Sequence, residues 1–126
     1  MDINDLVYSD SADMILTGHN GKPMKDKSGS NMMISFFGED TDERLRAYSN
    51  YRTKMIAAGK DDEMLLQAEC EMLADLTSRL HNIIFNGKEV TIKDAAGMYR
   101  KVSKVRNDAL IFVGTTVNFI KGRSKK

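Results

Sequence analysis

The sequence has no tryptophan, one cysteine, one proline and two histidines in 126 residues, and each scarcity removes a class of explanation. A lone Cys70 cannot form an intrachain disulfide, and its place beside Leu66 and Leu73 in a helical pattern gives it the role of a small buried hydrophobe. That usage suits a reducing cytoplasm. Only His19, His81 and Cys70 could join carboxylates around a metal, and none sits at a His-x-x-x-His or Cys-x-x-Cys spacing, so no metal is indicated. Two histidines far apart in the chain give no nucleophile an evident base, and no catalytic residue is assigned. The glycines at 18, 21 and 29 fall between two apolar runs and not at a strand-to-helix turn, so neither phosphate-binding fingerprint applies and no cofactor is expected. No apolar run approaches the roughly 18 residues of a membrane span, and Asp2 and Asp5 stand where a secretion signal would carry cations.

Apolar residues make up 41% of the chain and charged residues 29%, ordinary globular proportions for one domain with a real core. The net charge of +1 conceals an asymmetry. Residues 1–20 hold Asp2, Asp5, Asp10 and Asp13 without a Lys or Arg, whereas from Lys93 onward nine Lys or Arg face only Asp94 and Asp108. Such a basic end can contact nucleic acid, but it equally suits helix C-termini or an acidic protein partner.

Along the chain, residues 1–11 read as a polar arm, 12–120 as the domain and 121–126 as a basic tail. Met14, Ile15 and Leu16 form one short apolar run and Asn31 to Phe37 another. The Gly- and Ser-rich stretch between them makes the pair an antiparallel hairpin. Side chains two apart on a strand share a face, which sends Met32, Ile34 and Phe36 to the core and leaves Met33 and Phe37 on the more polar face with Ser35. Asp40 or Thr41 caps a helix with Leu45, Tyr48, Arg52, Met55 and Ile56 as its core stripe and Gly59 as its stop. A longer helix is expected from Asp61–Asp62 to about Phe85, placing Leu65, Leu66, Leu73, Leu76, Leu80 and Ile84 on an apolar face and His81 on its flank. Thr91 and Asp94 resemble a capping box for a short helix through about Lys101. From Ser103, the positions Val105, Ala109, Phe112, Thr116 and Phe119 form a seam that docks against another helix of this chain or of a partner. The fold expected is α+β and mostly helical, an N-terminal antiparallel hairpin packed on about four helices. Nine methionines, with Met32 and Met33 beside Phe36 and Phe37, put adaptable apolar groups on both faces of one strand. Met33 and Phe37 are therefore candidate partner contacts, as is the seam of Val105, Phe112 and Phe119.

In order and spacing these motifs resemble the tail assembly chaperones of long-tailed bacteriophages. The matching residues are Gly21-Lys22-Pro23, the apolar strand Ile34 to Phe37, and the helix start Gly38-Glu39-Asp40-Thr41-Asp42-Glu43-Arg44. Further on they are Asn86-Gly87-Lys88-Glu89, Thr91, Tyr99, Phe112-Val113-Gly114 and Asn118-Phe119. The likeness runs over about residues 12 to 120, and it departs in lacking the family's tryptophans. It implies a protein that is not an enzyme and acts in the host cell cytoplasm. Such a protein coats the tape-measure protein, keeps it soluble and recruits tail-tube subunits. A homo-oligomer remains open. Two other readings stand beside it: a structural tail or neck protein of the virion, and a small nucleic-acid-binding regulator using the basic end.

Overall fold

The computed structural model describes residues 2–120. A 3-10 turn at Ile3–Leu6 leads into a three-stranded antiparallel sheet of β1 (Ser11–Ile15), β2 (Met33–Phe37) and β3 (Thr77–His81), with β2 in the centre. Two helices, α1 (Asp42–Ala58) and α2 (Asp62–Leu76), stand between β2 and β3 in the chain. After β3 come a small hairpin of β4 (Ile84–Phe85) and β5 (Lys88–Glu89), then α3 (Ala95–Lys101), α4 (Ser103–Val113) and a 3-10 turn at Thr116–Phe119. The fold is α+β and mostly helical, as the periodicities indicate.

The sheet's inner face follows the alternation of β1 and β2. Ala12, Met14 and Leu16 are buried, Ile34 and Phe36 wholly so, and Met32 packs against the same core. Register sets Ile34 between Met14 on one side and Leu80 on the other. One glycine is compulsory here. Gly38 N–H donates to the Asp10 carbonyl at 2.7 Å, and a Cβ at Gly38 would come within 1.9 Å of the Ser9 carbonyl oxygen. Between the strands, residues 18–31 are bent by two isolated bridges, Thr17 with Pro23 and Lys25 with Asn31. At the second bend the Ser28 hydroxyl and the Ser30 and Ser28 amides hold the Asp26 carboxyl below its usual range.

Two helical expectations are corrected. The core stripe of α1 is not Leu45–Ile56: those two side chains are 63% and 83% exposed. The buried arc runs instead through Arg44, Ala47, Tyr48, Tyr51 and Ala58. Both arcs obey the helical period and share Tyr48. The alanine arc wins because small side chains let α1 lie close against α2 in a tight helical hairpin. The second correction is larger. The long helix stops at Leu76, and Thr77–His81 becomes the third strand, so Leu80 lies beside Ile34 and His81 beside Met33. Thr77 makes the exchange. Its Oγ1 donates to the Leu73 carbonyl at 2.7 Å, satisfying one end of the helix, so the Tyr99 hydroxyl 2.7 Å away must be the donor to Thr77. Both groups are buried, and burial pushes the Tyr99 phenol well above its usual range.

The last helix also ends early, at Val113, and its final carbonyls are each accounted for. Gly114 N–H serves Leu110, the Thr115 hydroxyl serves Ile111, Asn118 serves Phe112, and Arg44 serves Val113. The short helix before it is preceded by a 3-10 turn at Ile92–Asp94, where Thr91 binds the Asp94 side chain and not a helix amide. Nor is the N-terminal arm loose. Ser9 N–H and the Ser9 hydroxyl both donate to the Phe119 carbonyl, at 2.8 and 2.9 Å, and Tyr8 bridges Ile120.

Cys70 is fully buried, and burial raises its thiol pKa against the opposing pull of Arg106 and Arg100. A thiol reagent should therefore modify the native protein only at the rate at which it opens globally. Complete reaction within the mixing time in native buffer would contradict this placement.

Candidate partner-docking surface

On the outer face of the sheet, Met33 and Phe37 flank Ser35, as alternation requires, and both are only partly exposed. Ser35 itself is buried, with its Oγ 2.5 Å from Asp13 Oδ1 on β1 and 2.7 Å from His81 Nε2 on β3. Sequence reasoning missed this trio because it kept His81 on a helix. A serine has one proton, and the carboxylate can only accept, so Ser35 donates to Asp13 and His81 Nε2 donates to Ser35. In a hydrolytic relay the carboxylate holds the imidazole and the imidazole takes the serine proton. Here the carboxylate occupies the serine proton directly, and the three side chains act as a polar tie across all three strands. Among the described residues, no three His, Cys, Asp or Glu side chains converge as metal ligands.

The seam residues are split by the fold. Val105 and Phe119 are core, 8% and 0% exposed, and so are spent within this chain; their role as partner contacts is corrected on that ground. Phe112 is partly buried. Its ring lies 5.7 Å from Phe36 and 5.8 Å from Phe119, and its outer edge reaches a groove between β1 and α4. There it meets Met14, Ile15 and Ile111, with Asp108 and Asn118 on the rim. Ile111 is 70% exposed and Ile15 44%. Lys104 closes one end, its ammonium 2.5 Å from Asp108 and 3.1 Å from Thr17. The groove holds about 240 Å³, below the roughly 300–1,000 Å³ of small-molecule pockets. Its shape suits an inserted side chain from an apolar segment better than an enclosed ligand. Ile15 was legible in principle, since it alternates out of phase with Met14 and Leu16; Ile111 carried no signal apart from its neighbour Phe112.

The basic stretch from 100 to 106 is largely committed to the chain itself. Arg100 pairs with Glu63, Arg106 donates to the Tyr99 and Arg100 carbonyls at 3.0 and 3.2 Å, and Lys104 serves Asp108 and Thr17. These contacts give Arg100, Lys104 and Arg106 partners within the chain. The cations of the basic tail lie outside the described residues. No helix among those described is long and apolar enough to cross a membrane. Comparison with protein-family models, with curated proteins and with solved structures finds no match to this chain.

Proposed function

We propose that this protein is a tail assembly chaperone of a long-tailed bacteriophage, one that binds the tape-measure protein in the host cytoplasm, keeps it soluble and helps recruit tail-tube subunits. The order of motifs supports the assignment, and the observation that carries a binding role is the β1–α4 groove, where Ile111 and Ile15 are exposed beside the partly buried Phe112. An amphipathic helix laid against such a groove inserts side chains at helical spacing, and repeated weak contacts along a long client multiply through effective concentration. Met33 and Phe37 form the second contact region on the outer sheet face.

The test is co-expression with the tape-measure protein encoded by the same phage. The wild-type chain should hold that client in the soluble fraction and co-purify with it. Replacing Ile15 and Ile111 by Ser should leave thermal melting nearly unchanged, since both side chains are exposed. Recovery of the client should nonetheless fall by about tenfold or more, the loss expected for two apolar anchors of roughly 1 kcal/mol each. Should only the pair Met33→Ser and Phe37→Ser reduce recovery, the outer sheet face is the docking surface. If wild type itself fails to associate, the chaperone reading falls.

A further inference from the structure

The outer face of the three-stranded sheet carries one charge of each sign, one at each edge. Asp13 on β1 and Arg79 on β3 are both exposed, and both stand in register with Ser35 on β2. The three side chains therefore form one row across the sheet, with the carboxylate at one end and the guanidinium at the other. Two strand spacings, about 10 Å, keep the charges apart within the chain, and among the described residues neither joins an ion pair. Asp13 is also held in place, because one carboxylate oxygen accepts from Ser35 Oγ at 2.5 Å. Above and below this row on β2, Met33 and Phe37 present partly exposed apolar groups to the same face.

A row that ends in opposite charges is complementary to itself. We propose that the outer sheet face docks on the same face of a second copy, about a two-fold axis that lies between the two sheets and runs along the strands. Such an axis exchanges the edges β1 and β3, so Asp13 of each copy faces Arg79 of the other, while Met33 and Phe37 on the central strand meet their own counterparts. An axis running across the strands would instead set Asp13 against Asp13 and Arg79 against Arg79, and like charges exclude it. Sheets packed face to face lie about 10 Å apart, a gap that the long Arg79 crosses to reach the short Asp13. Methionine adapts to fill the space at the centre. Three strands of five residues measure only about 14 by 17 Å, small beside the roughly 800 Å² that each partner gives a standard interface, so the dimer is weak and reversible. It leaves Ile111 and Phe112 of the β1–α4 groove uncovered, and it does not depend on the chaperone reading.

Sedimentation equilibrium of the full chain, loaded at about 5 to 500 µM in about 10 mM salt where charges are little screened, should show monomer and dimer in exchange. Arg79→Asp alters an exposed side chain and should leave thermal melting unchanged. It should nonetheless weaken the dimer about tenfold or more, because both edge contacts turn from attractive to repulsive. Asp13→Arg should do the same. Mixed in equal amounts, the two variants should associate again, since the two-fold axis then brings opposite charges together at both edges. Should Asp13→Arg not fold, for want of its bond to Ser35, Arg79→Asp decides alone. A wild-type chain that stays monomeric at the highest concentration would overturn the proposal. So would an Arg79→Asp protein that dimerises as wild type does, or a mixture of folded variants that associates no more than either alone.

Discussion

Ile34→Asp should yield no folded protein. The side chain is fully buried at the centre of the sheet, between Met14 and Leu80 in register, so the variant loses about 1.5–3 kcal/mol of apolar burial. It must also bury a carboxylate with no partner on that face, at a further several kcal/mol. Against a total stability of roughly 5–15 kcal/mol, the combined loss leaves little or nothing. Circular dichroism and solubility on expression are the direct measurements, and Ile34→Val, expected to cost only about 0.5–1.5 kcal/mol, is the control. A soluble Ile34→Asp protein with unchanged melting would mean that β2 is not the core strand.

A comparable loss is expected at a residue of opposite character. Arg44 is 4% exposed, yet its guanidinium finds partners in several elements. It donates to the Phe37 carbonyl at 3.2 Å, to Glu39 at 3.3 Å and to the Val113 carbonyl at 2.5 Å. Its carbon lies 4.7 Å from the centre of the Phe119 ring and 5.5 Å from that of Tyr48. One side chain thus joins β2, α1, the end of α4 and the last 3-10 turn. Arg44→Ala takes a buried cation from its partly exposed partner Glu39, removes its stack on Phe119 and leaves the Val113 carbonyl without its side-chain donor, which should cost about 3 kcal/mol or more in chemical denaturation. Arg44→Lys keeps the charge but not the planar fork that reaches several acceptors at once, so it should recover only part of that loss. If Arg44→Ala unfolds at the wild-type denaturant concentration, the guanidinium is not the clamp its geometry indicates.

The elements set by local pattern were legible. Alternation separated Ile34 and Phe36 from Met33 and Phe37, and Thr41, Asp61 and Gly59 bounded α1 and α2 where capping chemistry puts them. What failed depended on contacts distant in sequence. Leu76, Leu80 and Ile84 continue a helical spacing, but Thr77 leaves the helix because β2 needs a second neighbour and Tyr99 offers its hydroxyl, a partner 22 residues away. In α1 two arcs of equal periodicity compete, and only the approach of α2 decides between the alanines and the pair Leu45 and Ile56. Of the candidate contacts, Met33, Phe37 and Phe112 keep some exposure, whereas Val105 and Phe119 do not. A seam spacing says that a face is buried, not by whom. Ile111 and Ile15, the most exposed part of the groove, became visible only when β1 and α4 were set side by side.

The bond from Ser9 to Phe119 spans 110 residues of chain, and this bears on how the protein is made. A ribosome adding roughly 5–20 residues per second takes about 5–20 s to go from one partner to the other. During that interval β1 and β2 can pair, and α1 can close on α2, but the pocket filled by Phe119 stands open and Arg44 lacks both the Phe119 ring and the Val113 carbonyl. The nascent domain therefore remains an incomplete intermediate with exposed apolar surface until its final turn emerges. Phe119 completes the core that the earlier elements leave open, and a chain halted before residue 119 should be handled by the cell as unfolded.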